Sequence, residues 1–287
     1  MIGIPVSFAL RIRHRVITRH HGNIHHRQHL KGVWMDIILN KLTTLIISPT
    51  QTIKELLVQK EHVDPTKVHV VNHGIDERYY ASKDKNAQKR LRDKYAIPET
   101  HPIIGVISRH IDWKGIQYII PAFEKLLHQS KGAHLILANA IGPYRSTVEK
   151  LLTPLPANSY TMIEYESDVS SLYSLFDYFV HVPIDSQSES FGLVYIEALA
   201  AGVPSVFTLS GVAPDFVKNK YNAMVVDFMN SNQIYVALTT LMNDSTLVQQ
   251  LIDNGRKSAQ CYSSSTMGEK IRNLYEQMES GRSILSL

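Results

Sequence analysis

The chain has 287 residues, 44% of them hydrophobic and 20% charged, with a formal net charge of +4, ordinary for a globular protein of one large or two modest domains. Its single cysteine, Cys261, excludes an internal disulfide and a cysteine metal cluster. No apolar run approaches the roughly 20 residues of a membrane-crossing helix, and residues 2–10, apolar but short with no basic residue ahead of them, do not read as a signal peptide.

In chain order, the first block is basic. Residues 1–31 hold five Arg, one Lys and six His, and no Asp or Glu. Such a strip suits anionic lipid headgroups or a phosphorylated acceptor. It equally suits a basic rim whose acidic partners lie elsewhere in the chain. Nucleic acid is not expected, because the aromatics are scattered and no nucleic-acid-binding motif accompanies the basic residues. The pattern predicts a strand at 15–18, a helix over 28–42, a strand at 45–48, a helix over 51–60 and a strand at 68–71. The run Asn72-His73-Gly74-Ile75-Asp76 is a turn-rich joint.

Beyond residue 102, short β-rich runs at 103–107, 134–138, 161–165, 178–182, 204–208 and 223–227 alternate with helical patterns, among them 116–128, 169–176 and 191–201. This alternation argues for a parallel sheet with helices on both faces. Pro121 is expected to kink the helix after Lys114 unless that helix starts late. Residues 231–287 read as helices only. His25 and His29 stand at an i, i+4 metal-ligand spacing, but no carboxylate accompanies them and no metal site is expected.

The most informative segment runs from Glu189 to Glu197. It follows a β-rich run ending at His181-Val182-Pro183 and a polar loop, and its helical pattern stops at Ala201-Gly202 with Pro204 beyond. Glu189 is therefore expected at the mouth of a helix and Glu197 about two turns inside it. The helix-start N–H groups between them favour an anion. Two acceptor-only carboxylates around an anion site suit a ligand with hydroxyls on both sides of a phosphate, such as a nucleotide-sugar. Upstream, Arg109 ends a strand, and Lys114 with Gly115 opens the next helix. Ligands of open α/β sheets bind at strand carboxyl ends. There a guanidinium fork and an ammonium suit a diphosphate.

The runs Glu189-Ser190-Phe191-Gly192 and Glu197-Ala198-Leu199-Ala200-Ala201-Gly202-Val203-Pro204 resemble the E-x7-E motif of glycosyltransferase family 4, the retaining GT-B enzymes. The stretch 105–115, with Arg109, Lys114 and Gly115, resembles that family's Arg-x4-Lys-Gly element. Thr18-Arg19-His20 resembles its Thr-x-His element, and 72–76 its inter-domain linker. The resemblance implies an α/β, GT-B-like fold. A partial, acceptor-side Rossmann-like domain would occupy residues 1–76. A complete nucleotide-sugar-binding Rossmann-like domain, ending in a helical segment, would occupy 77–287. It implies a catalytic set of His20, Arg109, Lys114 and Glu189, with His21 as the alternative to His20. The implied donor contacts are Arg109, Lys114, Glu189, Glu197 and the backbone of Ser190, Phe191, Gly192 and Leu193. Phe191 also fits simple core packing. Tyr165 lies near the implied base pocket, with strand-end packing as its alternative. The run Ser210-Gly211-Val212-Ala213-Pro214-Asp215 departs from the family's Gly-Gly-x-x-Glu.

The implied activity is retaining transfer of a sugar from a nucleotide-diphosphate sugar to a glycan or lipid-linked acceptor, for a cell-surface polysaccharide. The implied place is the cytoplasm or the inner face of the membrane, and no metal or other cofactor is expected. About 75 residues precede the joint, half of what a Rossmann-like half needs. The family's glycine-rich first loop has no counterpart. The first domain is therefore expected to be incomplete: a fragment, a truncated product, or a subunit whose partner chain supplies the rest. Its non-catalytic form would be a nucleotide-sugar-binding module. Apolar surface and a sheet edge are expected to lie open there. A nicotinamide dehydrogenase has a similar sheet pattern, but neither Gly-x-Gly-x-x-Gly nor a Walker loop occurs.

Overall fold

The structure is a computed structural model that describes residues 3–20, 30–82, 84–99 and 102–280. Two parallel sheets organise them, one on each side of the joint at 72–76. The first contains β1 (Val16–Thr18), β2 (Leu45–Ser48) and β3 (Val68–Val70), in that order. Helix α1 (Gly3–Ala9) precedes β1, and α2 (Leu30–Leu42) and α3 (Gln51–Lys60) occupy the crossovers. Thr50 starts α3 as its N-cap, accepting from the Ile53 N–H. His21, Gly22, His25 and His29 lie outside the described residues.

After the joint come α4 (Glu77–Ala81), α5 (Lys85–Tyr95), β4 (Ile103–Ile107), α6 (Ile116–Gln129), β5 (His134–Ala138), α7 (Arg145–Leu152), β6 (Tyr160–Ile163) and α8 (Val169–Leu175). They are followed by β7 (Tyr178–His181), α9 (Leu193–Ala201), β8 (Ser205–Phe207), α10 (Ala213–Phe216), β9 (Met224–Val225), α11 (Ser231–Asn243), α12 (Ser245–Gln260) and α13 (Ser264–Ser280). The second sheet has the order β6-β5-β4-β7-β8-β9, every pair parallel. The chain moves outward one way after β4 and the other way after β7, so a crevice opens between their carboxyl ends.

Burial on both faces explains why these strands read as near-continuous apolar runs. Ile104, Val106, Val180 and Val206 face α6 and α11 through Phe123 and Leu238. Ile103, Phe179 and Phe207 face α8 and α9 through Tyr173 and Tyr195. Gly105 leaves room for the Phe176 ring, which an added Cβ would meet at 2.2 Å. Helix α6 starts at Ile116 and carries Pro121 in its interior. The proline removes one backbone donor, yet Ile119, Ile120, Ala122 and Phe123 around it are all buried.

The expectation that the first sheet lacks cover is corrected by α13. This last helix returns to the start of the chain and buries Leu45, Ile47 and Val71 under Leu274 and Met278. Ile53, Leu57 and Val63 cover Ile46 and Val68 on the opposite face. Alternation along β2 sends Leu45 and Ile47 one way and Ile46 the other. The joint itself is clasped by the turn before α13: Ile75 N–H donates to Tyr262 O at 2.9 Å, and Ser264 N–H to Ile75 O at 2.9 Å. Gly74 is needed there, because a Cβ would meet Ser263 O at 2.4 Å. Open apolar surface does occur, but on α1, α2 and the turn after α1. Val6, Phe8, Leu10, Ile12, Trp34, Met35 and Ile38 are exposed.

Leu274→Ala should therefore destabilise the chain by about 2–4 kcal/mol, the usual cost of a buried Leu-to-Ala change, in urea unfolding. Hydrogen exchange at 45–47 should rise with it. A loss below about 0.5 kcal/mol would detach α13 from the first sheet's stability.

Candidate functional site

The crevice between β4 and β7 brings a cation and a carboxylate together. Gly115, at φ 77°, packs so tightly on the backbone after β7 that a Cβ would meet Val182 O at 1.8 Å. This contact sets Lys114, which follows β4, against the loop that follows β7. Lys114 Nζ donates to Glu189 Oε1 at 2.5 Å. His181, the last residue of β7, lies with Nε2 2.9 Å from the same oxygen. Glu189 N–H donates to Ser210 Oγ at 3.1 Å, which ties the loop to the buried turn at Ser210-Gly211.

Electrostatics follow from this packing. Burial pushes the Glu189 carboxyl up, but Lys114 and then His181 outweigh it and hold the carboxyl at about 2. Burial holds the His181 imidazole below its usual range against the pull of Glu189. The ordering is different at Glu197. Its Oε1 accepts from Tyr80 Oη and its Oε2 from Tyr173 Oη, both at 3.0 Å. Burial raises its carboxyl above the ordinary value, and the two hydroxyls only partly offset that.

Glu189 does not sit at a helix mouth. Gly192, at φ 91°, is the residue before the helix, which starts at Leu193. The glycine is required there, because a left-handed residue with a Cβ would also meet the Tyr195 ring at 2.6 Å. Glu189 is thus placed by Lys114, His181 and Ser210 rather than by α9 itself. Glu197 lies inside α9 and points to α4 and α8 through the two tyrosines.

The first sheet reaches this loop through a line of rings. His20 stacks on His73 of the joint, with centroids 5.3 Å apart and planes 10° from parallel. His73 meets the Phe191 ring edge-on at 4.9 Å. Burial, and then the His20 charge, hold His73 below its usual range. Behind His20, buried Arg19 lies 3.0 Å from Asp36 and also bonds Glu61, whose other oxygen accepts from Asn40 at 2.6 Å. Arg19 was grouped with the basic strip by sequence, and its acidic partners are these two carboxylates from later in the chain.

Lys114, Glu189 and Phe191 thus share one place, with His20 joined to it through His73. Phe191 is a buried core ring, as its packing alternative held. Arg109 is exposed in the loop after β4, and Leu193 is 39% exposed at the start of α9. Tyr165 is 74% exposed, two residues beyond the end of β6, which excludes the strand-end packing role. Sequence reasoning missed His73, Tyr80, Tyr173 and His181, and had marked Ser210 only as a departure from the family's Gly-Gly-x-x-Glu run. The position of His181 at the end of a β-rich run was the one available signal. Among the described residues no three His, Cys, Asp or Glu side chains converge as metal ligands.

Comparison with known proteins adds a family. Residues 87–258 match the family described as glycosyl transferases group 1. The chain is 24% identical over 248 residues to a sulfoquinovosyl transferase of Arabidopsis thaliana, covering 85% of this chain and 47% of that protein. It is 26% identical over 253 residues to N-acetyl-alpha-D-glucosaminyl L-malate synthase of Bacillus anthracis, covering 86% and 63%. It therefore spans about half to two thirds of these relatives' length. Among solved structures, HepE of Anabaena in complex with UDP and glucose superposes with a TM-score of 0.84 at 20% identity, covering 96% of this chain and 74% of that one. The fold is GT-B-like.

Lys114→Met should lower stability at neutral pH by about 3 kcal/mol, the low end for breaking a buried pair because Lys114 is partly exposed. Glu189's folded carboxyl lies near 2, below its ordinary 4.5. Its contribution is therefore present above 4.5 and is lost as pH falls toward 2. Urea unfolding of both proteins should show the gap closing over that window. A gap constant down to about pH 3 would place the effect in packing.

Proposed function

Because the chain belongs to the group 1 glycosyl transferases, we propose that it is a retaining enzyme of glycosyltransferase family 4. It moves a sugar from a nucleotide-diphosphate sugar to a hydroxyl of a glycan or lipid-linked acceptor, for a cell-surface polysaccharide. The observation that carries this reading is the Lys114–Glu189 pair in the crevice where strand order reverses. Arg109 and Lys114 face the diphosphate, whose charge grows as the sugar leaves, so fixed cations favour the transition state. Glu197 receives the ribose hydroxyls, the backbone of Ser190 to Leu193 takes phosphate or sugar oxygens, and Tyr165 flanks the base. His20 hydrogen-bonds the sugar.

The acceptor oxygen bonds to the anomeric carbon on the face that the diphosphate leaves. The carbon–oxygen bond to the diphosphate breaks, and the acceptor's proton passes to the leaving phosphate. No metal or further cofactor enters this step. The enzyme works in the cytoplasm, and its basic strip rests on the inner face of the membrane.

A second reading is favoured by the exposed Val6, Phe8, Leu10, Trp34 and Met35. In it this chain is a nucleotide-sugar-binding fragment or subunit, and a partner chain packs on that apolar surface. The purified chain, alone and with an N-terminal extension, is assayed with UDP- and GDP-sugars and glycan or lipid acceptors. Transfer by the unextended chain supports the first reading, and donor binding without transfer supports the second.

Arg109→Ala and Lys114→Ala should each lower turnover about 100-fold. Glu197→Gln should weaken donor binding by about 1.5–3 kcal/mol in calorimetry, because an amide replaces a charged acceptor. Native affinity and turnover in all three would remove the crevice as the donor site.

A further inference from the structure

His181 closes β7 at the floor of the crevice with 2% of its surface exposed. Its ring packs edge-on against Tyr195, with centroids 4.8 Å apart. Burial disfavours the imidazolium, so the ring carries one N–H. Nε2 lies 2.9 Å from Glu189 Oε1, and an ionised carboxylate only accepts, so the proton belongs on Nε2. Nδ1 is buried without a hydrogen-bond partner. A bare acceptor is the less costly atom to leave there, because a buried N–H would be left unpaired.

Lys114 and His181 both donate to the same oxygen, Oε1. Lys114 is a flexible ammonium whose side chain is 19% exposed, so it can turn toward an anion entering the crevice. Once it turns, a buried carboxylate with no other donor would face the incoming negative charge uncompensated. His181 stays, because its ring is locked in the floor by Tyr195. We propose that His181 is a positioning residue: its Nε2–H keeps Glu189 anchored by Oε1 while Lys114 turns to the donor's diphosphate, so that Oε2 stays presented to the donor sugar. The proposal rests on the donor site argued above.

Two measurements test it. In the native full-length chain, two-bond nitrogen–proton NMR should show the Nε2–H tautomer at neutral pH. An Nδ1–H tautomer, or an imidazolium at neutral pH, overturns the anchor. Two substitutions read its consequence. His181→Gln sets an amide N–H close to the native Nε2–H, and His181→Phe keeps a ring but no donor. In His181→Phe, kcat should fall roughly 10- to 100-fold while KM for the nucleotide-sugar moves less than about threefold, the pattern of an interaction made only in the transition state. His181→Gln should stay within about fivefold of native kcat. Equal losses in both variants, or native kcat in His181→Phe, overturn the proposal. The tautomer separates this inference from the donor reading: an Nε2–H ring in a chain that binds no nucleotide-sugar keeps the anchor and removes the donor.

Discussion

The site depends on a buried carboxylate that must stay ionised. Glu189 is 8% exposed, and isolation there would cost several kcal/mol and drive it to take up a proton. It stays charged because two strands deliver donors to one of its oxygens, Lys114 after β4 and His181 at the end of β7. Those strands are neighbours only because the sheet runs β6-β5-β4-β7-β8-β9. Changing either strand's position would leave an unpaired charge inside the protein, so fold and site fix each other.

The same mutual dependence operates between the two sheets. Among the described residues, the first sheet is covered on one face by Ile53, Leu57 and Val63, while the apolar side chains of α1 at Val6 and Phe8 and of α2 at Trp34, Met35 and Ile38 point to solvent. The last helix, far along the chain, supplies the missing layer through Leu274 and Met278. The joint at Ile75 is consequently held by two chain passes instead of one. This clasp fixes His73 next to Phe191. The ring line from His20 to the Glu189 loop thus depends on where α13 begins.

Much of this was legible in the sequence, and the exceptions have physical reasons. Alternating β-rich and helical runs gave the parallel sheets. Lys114-Gly115 stood out because the helix dipole disfavours a lysine at a helix start, whereas a carboxylate before a helix is locally favourable and Glu189 stood out only through its motif. The start of α9 was read two residues early, because Phe191 continues the apolar pattern while Gly192 breaks it only through its left-handed backbone. The return of α13 was invisible, since periodicity says that a helix has an apolar face but not what covers it. Arg19 looked like surface charge for a similar reason. Asp36 and Glu61 are separated from it in sequence, and only folding brings them within bonding distance.

The paired glutamates illustrate how one motif yields two different acids. Burial raises both carboxyls. Only Glu189 has a cation to reverse that, and it becomes a permanent acceptor. Glu197 is balanced by two tyrosine hydroxyls, which are neutral donors and offset burial only in part. Its charge is therefore more responsive to what else donates to it. A ligand diol arriving at Glu197 would add the donors it lacks and favour the ionised form. Glu189 needs no such help. Spacing set the two glutamates apart along the chain, but the partners each one meets decide its chemistry.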